Sequence, residues 1–378
     1  MSDQHIPYGR QSIEADDIEA VLAVLRGDWL TTGPAVDAFE DALSQRCGAP
    51  YAVALNSGTA ALHAAYRAAG VGPGTEVIVP ALTFSATANA AHHLGATLRF
   101  ADITDETLTI DPASLQQHLS EKTVVVAPVD FAGHPADIDA ITAMAARAGA
   151  RVVEDAAHSL GATYRGQAVG CVADLTTFSF HPVKAITTGE GGAVTTRSTA
   201  EAQLMRRFRN HGIDRHSPGV DDGAWSYDID EIGFNFRLTD IQCALGISQL
   251  RKLGRFIERR QQIAATYRQQ LATFDEIELP PDQPWCEHAY HLFVIRVPSA
   301  RRAAIFDTLR SRGIGVQVHY VPVNMLSAYR RLGHHPEETP VALKNYRRMI
   351  SLPCHPAMGD ADVERVIAEL GNAMRGTQ

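Results

Sequence analysis

The chain has 378 residues, 45% hydrophobic and 20% charged, with a net charge of −9. That composition is globular and excludes a disordered or coiled-coil chain. The acidic balance argues against general nucleic-acid binding, which needs a basic excess, but still allows a local pocket for an anionic small molecule. Five scattered cysteines, Cys47, Cys171, Cys243, Cys286 and Cys354, form no CxxC. Reduced thiols and a cytoplasmic setting are expected. The opening MSDQHIPYGR lacks the basic and apolar regions of a signal peptide, and no apolar run reaches spanning length. Neither a leader nor a membrane partner is expected.

The first two-thirds alternate β-rich runs with helical patterns. Strands are expected over Tyr51–Leu55, Glu76–Pro80, Thr97–Ala101, Thr123–Pro128, Arg151–Glu154, Leu175–Phe180 and Gly192–Thr196. Several are continuous apolar runs, the pattern of strands buried on both faces. Helices are expected over Thr59–Ala69, Ser85–Leu94 and Ile138–Ala148. This alternation predicts an α/β fold with a mostly parallel sheet under helices. The GxG at Gly72–Gly74 precedes a strand, whereas a dinucleotide fingerprint follows one. A Rossmann dehydrogenase is disfavoured.

After Asn235 the pattern changes. Thr239–Leu253 and Arg255–Leu271 read as two helices joined near Gly254, and Pro280, Pro281 and Pro284 mark a break. Strands over Tyr290–Val297 and Gly315–Tyr320 flank a helix at Arg301–Arg312, and Asp360–Met374 closes the chain as a helix. The division predicted is a large domain over 1–250 and a smaller α+β domain over 251–378.

There is no phosphate loop of the GxxxxGK[ST] type, no HExxH and no GxSxG. The pairs His92–His93 and His334–His335 are adjacent rather than one helical turn apart, and read as surface residues. No metal site is expected.

Lysine is scarce: of 34 basic residues only Lys122, Lys184, Lys252 and Lys344 are lysines. Lys184 stands in FSFHPVKAITTGEGGAV, after a strand and among apolar and glycine residues. It is either a solvated loop lysine or a desolvated amine of lowered pKa that attacks a carbonyl. Asp155 ends an apolar strand, where α/β folds bind ligands. By itself it equally suits a helix N-cap. NSGTAAL, Asn56–Leu62, opens a helix after a strand, and free amides there can hold a phosphate. Phe84 could stack on a ring or fill the core. A pyridoxal phosphate site needs a lysine for the Schiff base and an acid for the ring nitrogen. The order of phosphate cup, aromatic, aspartate and lysine, each just after a strand, is more specific than any one part.

The sequence resembles the DegT/StrS family of fold type I, pyridoxal-phosphate-dependent nucleotide-sugar aminotransferases. The motifs run from IPYGR through DWLTTGP, NSGTAAL, EDAAHSLGA, FSFHPVKAITTGEGGAV and GFNFRLTDIQCALGISQL to VQVHYVP and SLPCHP. The resemblance implies a seven-stranded sheet in the large domain and a homodimer with shared active sites. It implies that Lys184 forms the Schiff base, that Asp155 pairs with the ring nitrogen, and that His158 approaches the ring hydroxyl. Ser57, Gly58, Thr59 and Ser179 would bind the phosphate and Phe84 would stack on the ring. Asn235 would reach the cofactor of the neighbouring subunit. Tyr8, Asp28, Trp29, Leu30, Thr31, Arg237, Gln317, Val318, His319 and Tyr320 would contact substrate; Tyr8 and His319 serve equally well as packing residues.

Within the family, HPVKAITTGEGGAV, RNHGI and GVQVHY are similar to the branch acting in pseudaminic acid biosynthesis. That implies transfer of an amino group from L-glutamate to C4 of a UDP-4-keto-6-deoxy-N-acetylhexosamine, giving UDP-4-amino-4,6-dideoxy-N-acetyl-β-L-altrosamine. HPADIDAI at 134–141 also resembles the 4-amino-4-deoxy-arabinose branch. Alternatives are therefore another nucleotide ketosugar (a UDP-4-keto-pentose, GDP-4-keto-6-deoxymannose or a 3-keto sugar) or a non-catalytic cofactor-binding regulator.

Overall fold

The computed structural model describes residues 5–214, 221 and 223–376. Its centre is a sheet of seven strands: β1 (Tyr51–Leu55), β2 (Glu76–Pro80), β3 (Thr97–Ala101), β4 (Thr123–Val126), β5 (Arg151–Asp155), β6 (Leu175–Ser179) and β7 (Gly192–Thr196). The order across the sheet is β1-β7-β6-β5-β4-β2-β3. Strands β2 to β6 pair in parallel. β7 runs antiparallel to both neighbours, β1 and β6.

The burial pattern explains the apolar runs. Every residue of β2 and β7 is buried. Side chains alternate faces along a strand: Val77 and Val79 enter a core with Leu62, Tyr66 and Ala88. Ile78 enters another with Val126, Ile138 and Val152. Both faces therefore need a helical cover, as in other parallel sheets. The helices Gly58–Ala68 and Ser85–His93 supply Leu62, Tyr66 and Ala88, and Ile138–Arg147 supplies Ile138 on the other side.

The residues after Asn235 differ from expectation in one respect. Asp240–Leu271 is a single helix of 32 residues, not two. Thr239 caps it and Gln242 completes a reciprocal capping box. Gly254 is exposed, and a β-carbon there would meet nothing within 4 Å. Its cost is the ordinary helix penalty of glycine, about 1 kcal/mol, too little to end a well-packed helix.

The end of this helix joins a further core. Tyr267 and Leu271 pack with Phe293, Ile295, Leu309, Ile350 and Leu370. Here Phe293–Arg296 pairs antiparallel with Met349–Leu352. The strand expected over Gly315–Tyr320 is reduced to a bridge between Gln317 and Ser351. The N-terminal segment takes the backbone partners instead: the Ile6 amide donates to the Gly313 carbonyl at 2.9 Å, and the Gly315 amide to the Ile6 carbonyl at 2.7 Å. Among the described residues no helix is long and apolar enough to cross a membrane, and no cluster of three or more His, Cys, Asp or Glu is placed to hold a metal ion.

Candidate active site

Parallel strands end at one edge of a sheet, and the residues just beyond those ends converge there. A cavity of about 390 Å³ lies at this edge. The β1 end supplies Ser57, Gly58 and Thr59, and the β2 end supplies Phe84. The β5 end supplies Asp155 and His158, and the β6 end supplies Ser179 and Lys184. Tyr8, His319 and Tyr320 close it from outside the sheet.

The β1 end is built for close approach. Ser57 caps the helix Gly58–Ala68, accepting from the Ala60 amide at 3.1 Å. The first amides of a helix have no intrahelical acceptor and attract an anion. Gly58 is required by packing: a β-carbon there would lie 2.9 Å from Ser179 Cβ and 3.1 Å from its Oγ. The cup is thus drawn tight against the end of β6.

Asp155 is buried. Its Oδ2 accepts from Thr87 Oγ1 at 2.7 Å and its Oδ1 from the Ala157 amide at 3.2 Å. Burial raises its pKa, while these donors and the charge of Lys184 oppose the rise. Burial draws the Lys184 amine down to about 8, with Asp155 pulling the other way. His158 donates to or accepts from Tyr320 OH through Nε2 at 3.1 Å. Its Nδ1 is buried without a hydrogen-bond partner among the described residues. Burial and the Lys184 charge hold this imidazole neutral, well below the usual range. His319 bonds Ser351 Oγ through Nδ1 at 2.8 Å and is drawn down to about 4 by burial. The Tyr8 and His319 rings lie 5.2 Å apart, and the Phe84 and Tyr320 rings 5.8 Å apart.

The other sequence candidates lie outside this lining. Asp28, Trp29, Leu30 and Thr31 are exposed. They run along the start of the long helix, where Thr31 bridges Thr239 and the Leu30 carbonyl accepts from Asp240 at 3.1 Å. Asn235 is exposed, and its carbonyl accepts from Asn56 Nδ2 at 3.3 Å. Arg237 donates to Asn210 Oδ1 at 2.7 Å. Gln317 and Val318 are half-buried beside the cavity-lining His319. Sequence reasoning missed His291, which lines the cavity with its ring 4.3 Å from that of His158. It also missed Thr87, the donor to Asp155.

A model of the DegT/DnrJ/EryC1/StrS aminotransferase family matches residues 11–371. The chain belongs to this family. It is 38% identical over 379 residues to the spore coat polysaccharide biosynthesis protein SpsC of Bacillus subtilis, covering 98% of this chain and 97% of that one. It is 37% identical to the UDP-4-amino-4,6-dideoxy-N-acetyl-β-L-altrosamine transaminase of Campylobacter jejuni, covering 96% and 95%. The PLP form of Spr1654 from Streptococcus pneumoniae superposes with a TM-score of 0.93 at 33% identity, over 99% and 100% of the two chains.

As a DegT/StrS sugar aminotransferase, the chain uses pyridoxal phosphate. The residues present fit that group. It carries a ring nitrogen, a ring hydroxyl, an aldehyde and a phosphate. The cavity offers a buried carboxyl, an imidazole nitrogen without a partner among the described residues, an amine and a helix N-terminus whose glycine leaves no room for a side chain.

Proposed function

We propose that this aminotransferase moves an amino group from L-glutamate to C4 of a UDP-4-keto-6-deoxy-N-acetylhexosamine, forming the 4-amino-4,6-dideoxy-altrosamine of pseudaminic acid biosynthesis. The observation that carries the chemistry is the meeting of Lys184, Asp155 and His158 in one cavity with the helix N-terminus at Gly58. The likeness to the Campylobacter jejuni transaminase over nearly the whole chain supports the substrate. The similarity to SpsC favours a second reading, a different ketosugar on the same chemistry.

Bound pyridoxal phosphate supplies an aldehyde for the amino group and a ring that draws electrons from it. Ser57, Gly58, Thr59 and Ser179 would hold its phosphate, and Phe84 its ring face. Asp155 keeps the ring nitrogen protonated, and His158 meets the ring hydroxyl. Lys184 takes a proton from Cα of glutamate and later returns one to C4 of the sugar. An amine with a pKa near 8 suits both tasks, because it is populated in both forms at neutral pH.

The working unit is a homodimer. Asn235, which does not line the cavity of its own chain, and the exposed segment Asp28–Thr31 would serve the partner's site. The large and small units, 1–250 and 251–378, are joined by the helix Asp240–Leu271, and limited proteolysis should leave that helix intact. Five free thiols support a reducing compartment, the cytoplasm.

The test is mass analysis of the nucleotide sugar after incubation with pyridoxal phosphate, glutamate and the UDP-4-keto-6-deoxy sugar. The expected product is the amine, lost in Lys184→Ala. Amine formation from another ketosugar alone would move the substrate to the second reading. Appreciable turnover by Lys184→Ala would remove Lys184 from the chemistry. A protein that binds cofactor but never accepts glutamate nitrogen is a regulator.

A further inference from the structure

Behind Asp155 lie two carboxyl groups that the chemistry above does not use. Glu154 precedes Asp155 on β5 and so faces the other side of the sheet. Asp130 follows β4. Both are almost completely buried, and their side chains hydrogen-bond each other. Two carboxyls in such contact need a proton between them, because an ionised carboxylate only accepts. No lysine or arginine forms an ion pair with either among the described residues. The titratable groups that influence them are Asp155, with Cys47 and Cys171 toward Glu154 and Cys286 toward Asp130. Burial keeps all three thiols neutral.

The pair grips the turn that carries the site. Asp130 Oδ2 accepts from Ser159 Oγ at 2.5 Å, and its Oδ1 from the Ala136 amide at 2.9 Å. Its own amide donates to the Asp155 carbonyl at 3.1 Å. One residue thereby holds both ends of Asp155–Ser159. Glu154 is fixed in turn by Thr176 Oγ1, which donates to its Oε2 at 2.8 Å.

We propose that Asp130 is a positioning residue, and that the Asp130–Glu154 pair shares one proton to hold the Asp155–Ser159 turn in the pose that presents Asp155 and His158 to pyridoxal phosphate. This rests on the assignment of Asp155 and His158 to the cofactor. A carboxyl pair that only stabilised the fold would leave the cofactor's own properties untouched. A pair that aims Asp155 sets how firmly the cofactor binds and where its bound chromophore titrates.

The experiment uses the full chain reconstituted with pyridoxal phosphate. It reads the cofactor's dissociation constant and the pH midpoint of its visible absorption band. Asp130→Ala should weaken cofactor binding about tenfold, the effect of one lost buried hydrogen-bonding group, and move the midpoint by about one pH unit. Ser159→Ala should shift both in the same direction by less. Asp130→Asn keeps an acceptor for Ala136 and puts a donor where Oδ2 accepted from Ser159; Ser159 Oγ can accept from it and turn its own proton to the Ala156 carbonyl, 3.4 Å away, so the variant should restore both to within about threefold. Folded Asp130→Ala and Ser159→Ala proteins with unchanged affinity and midpoint would overturn the proposal. So would an Asp130→Asn protein as impaired as Asp130→Ala. If Asp130→Ala does not fold, Ser159→Ala and Asp130→Asn decide on the same readouts. The wild-type band must disappear in Lys184→Ala; a wild-type chain without such a band overturns the cofactor-site assignment, and this inference with it.

Discussion

Lys184 is an amine whose charge the fold opposes. With a pKa near 8, it is mostly protonated at lower pH and cannot accept a proton there. The rate of the glutamate half-reaction, in which Lys184 must accept a proton, should therefore rise about tenfold per pH unit below 8 and level off above it. Single-turnover kinetics of the pyridoxal phosphate-loaded enzyme mixed with glutamate checks this; a flat profile would take Lys184 out of proton transfer. Gly58 makes a steric prediction. Its missing side chain is what lets the helix N-terminus sit against Ser179, so Gly58→Ala should weaken pyridoxal phosphate binding by roughly tenfold, read by equilibrium dialysis. Unchanged binding would show that Ser179 yields without cost. These residues were legible because glycine, lysine and aspartate are conspicuous just after apolar strands. His291 was not. It stands in AYHLFVIR, where a histidine among apolar neighbours reads as core, and only folding brings its ring beside His158.

The long helix Asp240–Leu271 carries Arg260, a fully buried cation without a carboxylate partner among the described residues. Its Nη1 donates to the carbonyls of Tyr290 and His291, each at 3.2 Å, and to that of Cys354. It therefore ties the segment bearing His291 to the loop after Met349–Leu352. Arg260→Met would leave three buried carbonyls short of a donor and should cost about 3 kcal/mol in urea unfolding. A loss under about 1 kcal/mol would mean that the carbonyls find other partners. The seven strands of the sheet could be read in advance because runs such as EVIVP admit little else between turn residues. The helix could not be read as one piece. Gly254 looks like a break locally, and only the packing of Leu253, Phe256 and Ile257 on either side shows why the turn continues. The strand at Gly315–Tyr320 failed for the converse reason: its backbone partner is the chain's own beginning, more than 300 residues away, which no local pattern records.

The molecule as a whole leaves apolar surface in view. Trp29, Trp225, Ile232 and Phe234 are exposed, Ile232 by 88% and Trp225 by 76%. Residues of this kind close to Asn235 are what a homodimer with shared sites would cover. Sedimentation should give a dimer at micromolar concentration, and Ile232→Asp should shift it toward monomer with loss of turnover. An active monomer would sink the shared-site reading. The reversed strand β7 has a further consequence. Among the described residues β1, which leads into Ser57 and Gly58, pairs in the sheet with β7 alone. Gly192 sits opposite Leu55 on one side and Ser179 on the other. During synthesis, β1 must wait for residue 196 to leave the ribosome before it gains its neighbour. Until then the run that presents Ser57 and Gly58 has no sheet neighbour to hold it in line with Ser179.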